Sequence, residues 1–143
     1  PIERGQVFAV KLINESAHQA AVNLSLDGIN CFRFSEIRST YWIIPPKSFI
    51  VVPGWHKNND TSIEFKSTHF PDSASARLNL KPSTAIGTIS AAFSRAWTDE
   101  KDRPPGGIPR RAGFGDEIRF KTRQVKRQIG NMIDNIVIRY ERP

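Results

Sequence analysis

Apolar and polar side chains alternate every second residue over several short stretches of the chain. In residues 22–27, Val22, Leu24 and Leu26 alternate with Asn23, Ser25 and Asp27, the pattern of a strand with one face buried and one wet. Residues 6–13 predict a preceding strand with Phe8, Val10 and Leu12 on one face. The polar turn residues Asn14-Glu15-Ser16 follow it, so the two strands are expected to form a hairpin. Asp27-Gly28 predicts a second tight turn, because both residues tolerate positive φ, and it leads into residues 29–34.

Further strand signals follow in Tyr41-Trp42-Ile43-Ile44 and Phe49-Ile50-Val51-Val52, punctuated by Pro45-Pro46 and closed by Pro53-Gly54, since proline cannot donate to a ladder. Alternation returns in residues 61–67 through Ile63 and Phe65, and in residues 87–93 through Ile89, Ala91 and Phe93. It ends in a last strand through Ile136, Ile138 and Tyr140. Many short strands separated by turn signals predict an all-β fold, an antiparallel β-sandwich of immunoglobulin-like or jelly-roll-like type. Its core should hold Phe8, Val10, Val22, Leu24, Leu26, Ile89 and Phe93, with Asn23 and Ser25 left wet.

Two stretches fit more than one element. Residues 72–80, with Ala74, Ala76 and Leu78, suit a short helix or an irregular crossover. In residues 117–133, Ile118, Val125, Ile129, Met132 and Ile133 approach helical spacing, whereas Gly130-Asn131 favours strand, turn, strand. Between Trp97 and Phe114 the density of charge, proline and glycine predicts an exposed loop over residues 98–113.

At 143 residues and 16.2 kDa, with 38% hydrophobic and 24% charged residues, the chain suits one folded domain. Its longest uncharged apolar runs, within residues 41–46 and 49–55, fall far short of the ~20 residues of a membrane-spanning helix. The opening Pro1-Ile2-Glu3-Arg4-Gly5 reads as a piece excised from a longer polypeptide. Cys31 stands alone, which excludes an intrachain disulfide and a multi-cysteine zinc site.

The order Val22-x-Leu24-x-Leu26-Asp27-Gly28, Ile44-Pro45-Pro46, Gly54-Trp55-x-Lys57, Phe65, Asp72-Ser73-x-x-Ala76 and Ile86-Gly87-x-Ile89 resembles a bacterial domain of unknown function. Such domains resemble β-sandwich modules of exported or multidomain proteins, with a Val-Asp-Gly turn, a Gly-Trp-Arg-Lys motif and a Gly-rich strand ending in phenylalanine. The likeness covers residues 6–95, and His56 stands where the family has arginine. It implies a sandwich and an attached or exported context, and no reaction.

Catalytic motifs are sparse. A Cys-His nucleophile would need Cys31 beside His18, His56 or His69 and a third group to orient the imidazole; a small packed cysteine is the expected role. No Gly-x-Ser-x-Gly turn occurs, and Gly106-Gly107 lacks the Gly-Lys-Ser/Thr ending of a phosphate loop. The three histidines lack metal-ligand spacing, and Asn58-Asn59-Asp60 reads as a solvated turn, so no metal or cofactor is implied. Tyr41, Trp42, Trp55 and Trp97 suit core packing better than a sugar-binding platform; Trp55, at a strand end beside His56-Lys57, is the best candidate for exposure and joins the candidate binding residues.

Charge supplies the positive lead. Residues 1–94 carry nine Lys or Arg against seven Asp or Glu, and residues 95–143 carry twelve against seven. On a strand, Arg119, Lys121 and Arg123 would share a face with Lys126 and Arg127 nearby, joined by Arg110 and Arg111 from the loop. Such a stripe attracts phosphate, sulfate or carboxylate groups, and it also suits a solvated face that protects a sheet edge. On a helix the same residues suit anionic lipid or an acidic partner. The expectation is a non-catalytic accessory or partner-binding module. A polyanion-binding domain is the alternative, and an enzyme whose site assembles only in three dimensions is a third.

Overall fold

The alternation at residues 20–26 builds the centre of the molecule. A computed structural model describes residues 2–81, 83–103 and 117–139. The first strands are β1 (Val7–Phe8), β2 (Val10–Asn14), β3 (Gln19–Leu26), β4 (Ile29–Asn30) and β5 (Trp42–Ile44). They are followed by β6 (Ser48–Val52), β7 (Gly54–His56) and β8 (Thr61–Lys66). After the short helix α1 (Ala74–Arg77) come β9 (Thr88–Trp97), β10 (Glu117–Arg119) and β11 (Gln128–Arg139).

Among the described residues, every strand pairing is antiparallel. One sheet runs β11-β9-β3-β4 with β5 also on β3; a second runs β1-β8-β10 with β7 on β8; β2 and β6 form a separate ribbon. Val22, Leu24 and Leu26 of β3 are fully buried, and the register sets Phe93, Ala91 and Ile89 of β9 opposite them. Trp42 and Ile44 of β5, Trp55 of β7, Phe65 of β8, Leu12 of β2 and Val52 of β6 complete the core. The all-β, sandwich-like fold expected from the alternation is the one observed. Phe8, Val10, Ile89 and Phe93 pack against this core while remaining partly exposed.

Three expectations need correction. Ser25 is not wet: it is fully buried on the back of β3, facing Ser90 of β9 and Asn30 of β4. Its hydroxyl donates to Asn23 Oδ1 at 3.3 Å, and the Asn30 side-chain amide donates to the same oxygen at 2.8 Å, so the polar side chains of this face pair with one another. The hairpin of β2 with β3 does not form either, because β2 pairs with β6. The reason lies at Asn14, whose buried amide donates to the carbonyls of His18 (2.8 Å), Ile44 (3.1 Å) and Pro45 (2.9 Å). Its Oδ1 accepts from the Ser16 amide and hydroxyl, so the turn residues clamp a corner between sheets. Third, Pro53 closes the run as expected, since β6 ends at Val52, but Gly54 is not part of a terminating turn: it opens β7, where a Cβ would stand 1.9 Å from the Ile63 carbonyl oxygen. Only glycine lets β7 lie that close to β8.

The Asp27-Gly28 turn forms as expected, with φ of 53° and 83°, and the Asp27 carboxylate ties it to β9 by accepting from the Gly87 amide at 2.9 Å. The open stretch at residues 72–80 resolves into α1, capped by Ser73, whose hydroxyl accepts from the Ala76 amide at 3.2 Å. Residues 117–133 contain no helix; irregular backbone at 120–127 joins β10 to β11. Gly130-Asn131 is not a turn but lies inside β11, where the register against β9 slips between Ile129 and Met132. Residues 98–103 are exposed as expected for the loop, and the rest of it lies outside the described residues. Among the described residues, no helix is long and apolar enough to cross a membrane.

Candidate anion-binding cleft

Trp55, expected at the surface, is fully buried. The close approach of β7 to β8 turns its indole inward, edge-on to Phe34 (5.4 Å) and to Phe65 (5.7 Å). Trp42 and Trp97 are buried as well, and Tyr41 is half-exposed. Cys31 is a packed thiol: burial pushes its pKa up to about 12, although Trp42 Nε1 donates to the sulfur at 2.9 Å. His18 and His69 lie exposed, and no three metal-binding side chains cluster among the described residues.

The polar turn after β7 has a second task. Asn58 Oδ1 accepts from the amides of Asp60 (3.0 Å) and Thr61 (2.9 Å), which fixes the turn. This leaves the carbonyls of Asn59 and Asp60 to accept from the amides of Thr122 (2.5 Å) and Phe120 (2.8 Å). The chain leaving β10 is thereby docked beside β7 instead of continuing as a strand.

His56, the last residue of β7, lies at the junction. Thr122 donates its one hydroxyl proton to Asn59 Oδ1 (2.9 Å), so its oxygen accepts from Nε2–H of His56 (2.9 Å). Nδ1 is then the bare nitrogen and accepts from the Ser35 hydroxyl at 2.7 Å, whose oxygen accepts from the Ile37 amide at 3.0 Å. Burial among Phe32 (4.8 Å) and Trp42 (5.7 Å) lowers the imidazole pKa below its ordinary value, which keeps the ring neutral.

Between segment 120–127 and the irregular segment 37–41 opens a cleft of about 480 Å³. Phe32, Trp42, His56 and Phe120 lie along its inner side, and Arg38, Lys121, Arg123 and Arg127 contribute its charges. Among the described residues, none of the side chains lining it is a carboxylate. Arg38, Lys121 and Arg123 are exposed, whereas Arg127 is anchored, donating to Gln19 Oε1 at 2.8 Å and to the Lys126 carbonyl at 2.7 Å.

The basic set expected from the sequence is therefore divided. Lys121, Arg123 and Arg127 meet at the cleft; Arg119 and Lys126 are exposed outside its lining; Arg110 and Arg111 lie outside the described residues. The shared face expected of Arg119, Lys121 and Arg123 is not that of a strand, since β10 ends at Arg119. Arg38 and His56 were missed as cleft residues, because contacts between residues so far apart in the chain leave no local pattern. No family model, curated protein or solved structure matches the chain.

Proposed function

We propose that the domain is a non-catalytic binding module that takes an anionic ligand in the cleft between segments 37–41 and 120–127. The observation that carries this reading is the lining itself, in which four cationic residues border a partly apolar hollow with no carboxylate among its described residues. Cations gathered without counter-charges raise the local concentration of anions, and the apolar side chains between them lower the dielectric in which they act. Three of the four are arginines, whose planar forks suit phosphate and carboxylate oxygens.

The non-catalytic part rests on the groups nearest the hollow. Both ring nitrogens of His56 are engaged in hydrogen bonds, and the Cys31 thiol is buried and held protonated, so neither is poised as base or nucleophile. An accessory role beside another domain agrees with the family resemblance of residues 6–95.

The test is retention on immobilised heparin at low salt, comparing the wild type with the combined variant Arg38→Gln, Lys121→Gln and Arg123→Gln. The wild type should bind and elute steeply with added salt, as released counterions are restored. The variant should flow through while unfolding at the same urea concentration. Undiminished retention of a folded triple variant would remove this cleft from consideration.

A further inference from the structure

Cations alone accept any anion, but the cleft also has an interior that polyanions of uniform charge cannot use. Tyr41 and Phe120, both partly exposed, line it beside the cationic side chains, and the Phe120 ring is backed by Trp42 at 5.7 Å. Ile37, Ile43 and Val125 add aliphatic surface. A ligand that satisfies both parts is charged at one end and flat and uncharged at the other. Sulfated sugars and polyphosphate carry charge along their whole length and leave such a hollow unfilled. The volume of about 480 Å³ falls within the roughly 300–1,000 Å³ of small-ligand pockets.

We propose that the ligand is a nucleotide, free or as one unit of a single strand, with its base against Tyr41 and Phe120 and its phosphate met by Arg38, Lys121 and Arg123. The proposal rests on the anion-binding reading and narrows it. Aromatic rings accept the π-face of every base, so affinity should depend little on base identity. Phosphate contacts from the exposed cations should make it salt-dependent. His56 enters as a positioning residue, because its bond to Thr122 holds the segment that carries Phe120, Lys121 and Arg123.

Fluorescence anisotropy with a short labelled oligothymidylate tests this, using the full chain, the wild type and the variants Tyr41→Ala and Phe120→Ala. Loss of one stacked ring should weaken oligonucleotide binding about five-fold or more. Retention on heparin, which reads the cations alone, should stay unchanged in both variants. Tyr41 lies in an irregular segment and outside the core, so its variant keeps the test valid if Phe120→Ala fails to fold.

Competition with thymidine monophosphate separates the two sources of the same chemistry: full displacement identifies a free nucleotide, and displacement by unlabelled strand alone identifies a single strand. Equal oligonucleotide affinity in wild type and Tyr41→Ala, or stronger binding of inorganic polyphosphate than of the oligonucleotide, overturns the nucleotide and leaves the anion-binding reading standing. Failure of wild type to bind oligonucleotide, polyphosphate or heparin at low salt overturns both.

Discussion

Strand β3 and segment 120–127 meet through Gln19 and Arg127, yet they are held in opposite ways. β3 is paired along both edges and sends Val22, Leu24 and Leu26 into the core, so its position is fixed by burial and by a continuous ladder. Segment 120–127 has no strand partner among the described residues and rests on polar contacts: two amides on the carbonyls of Asn59 and Asp60, and Thr122 between His56 and Asn59. Of its side chains only Phe120 packs against the core, while Lys121, Arg123 and Lys126 are exposed. On the proposed reading of the cleft, stability and binding reside in different parts of the molecule, and mutations should separate them.

The largest effect is expected where the comparison is most one-sided. Trp55→Ala should destabilise by about 3–5 kcal/mol, the cost of emptying a fully packed indole site. Urea unfolding that leaves the midpoint unmoved would return Trp55 to the surface and undo the account of β7. Thr122→Val keeps the shape of the side chain but strips the two hydroxyl bonds, to His56 and Asn59, that help tie segment 120–127 to the body. A loss of about 1–3 kcal/mol is expected, together with weaker heparin retention. Retention at the wild-type level would mean that the carbonyls of Asn59 and Asp60 and the Arg127–Gln19 bond suffice to hold the cationic wall.

A smaller effect should appear with pH. Because burial holds the His56 pKa below the ordinary imidazole value of 6.5, the unfolded chain takes up this proton first as pH falls. The contribution is thus complete above about pH 6.5 and is lost on acidification toward the lower folded value. Urea midpoints from neutral to mildly acidic pH should decline in the wild type and less so in His56→Asn; identical slopes would assign the decline to other groups. Smallest of all is the effect of removing charge. The combined Arg38, Lys121 and Arg123 variant should unfold within about ±0.5 kcal/mol of wild type per substitution, since these side chains are exposed. A larger loss would show that the cationic wall also supports the fold.

What the chain reveals of itself before folding follows the same division. Alternation at residues 22–26 and the Asp27-Gly28 turn are local properties, and β3 and its hairpin to β4 follow from them. Trp55 was misplaced because Pro53-Gly54 and His56-Lys57 look like the margins of a strand. The feature that buries it, a glycine passing 1.9 Å from where a Cβ would meet the Ile63 carbonyl oxygen, depends on a strand elsewhere in the sequence. The β2 hairpin failed for a similar reason, since the acceptors of Asn14 at Ile44 and Pro45 lie some thirty residues away.

The basic run 119–127 was legible as charge but not as a wall. Its docking depends on Asn59 and Asp60, and its counterpart Arg38 stands on the far side of the cleft. Composition announces such a surface; only the long-range hydrogen bonds decide which of its members converge.

Cys31 gives the molecule an internal clock. It is the chain's single cysteine, fully buried beneath Trp42, with a thiol that burial keeps protonated. A disulfide reagent reacts with the thiolate, so in the native state the sulfur is both out of reach and in the wrong ionic form. Labelling must wait for an opening that parts β4 and β5 from the core, and the rate of mass gain then counts those openings one molecule at a time. The same buried atom makes the breathing of the sandwich measurable without an engineered site.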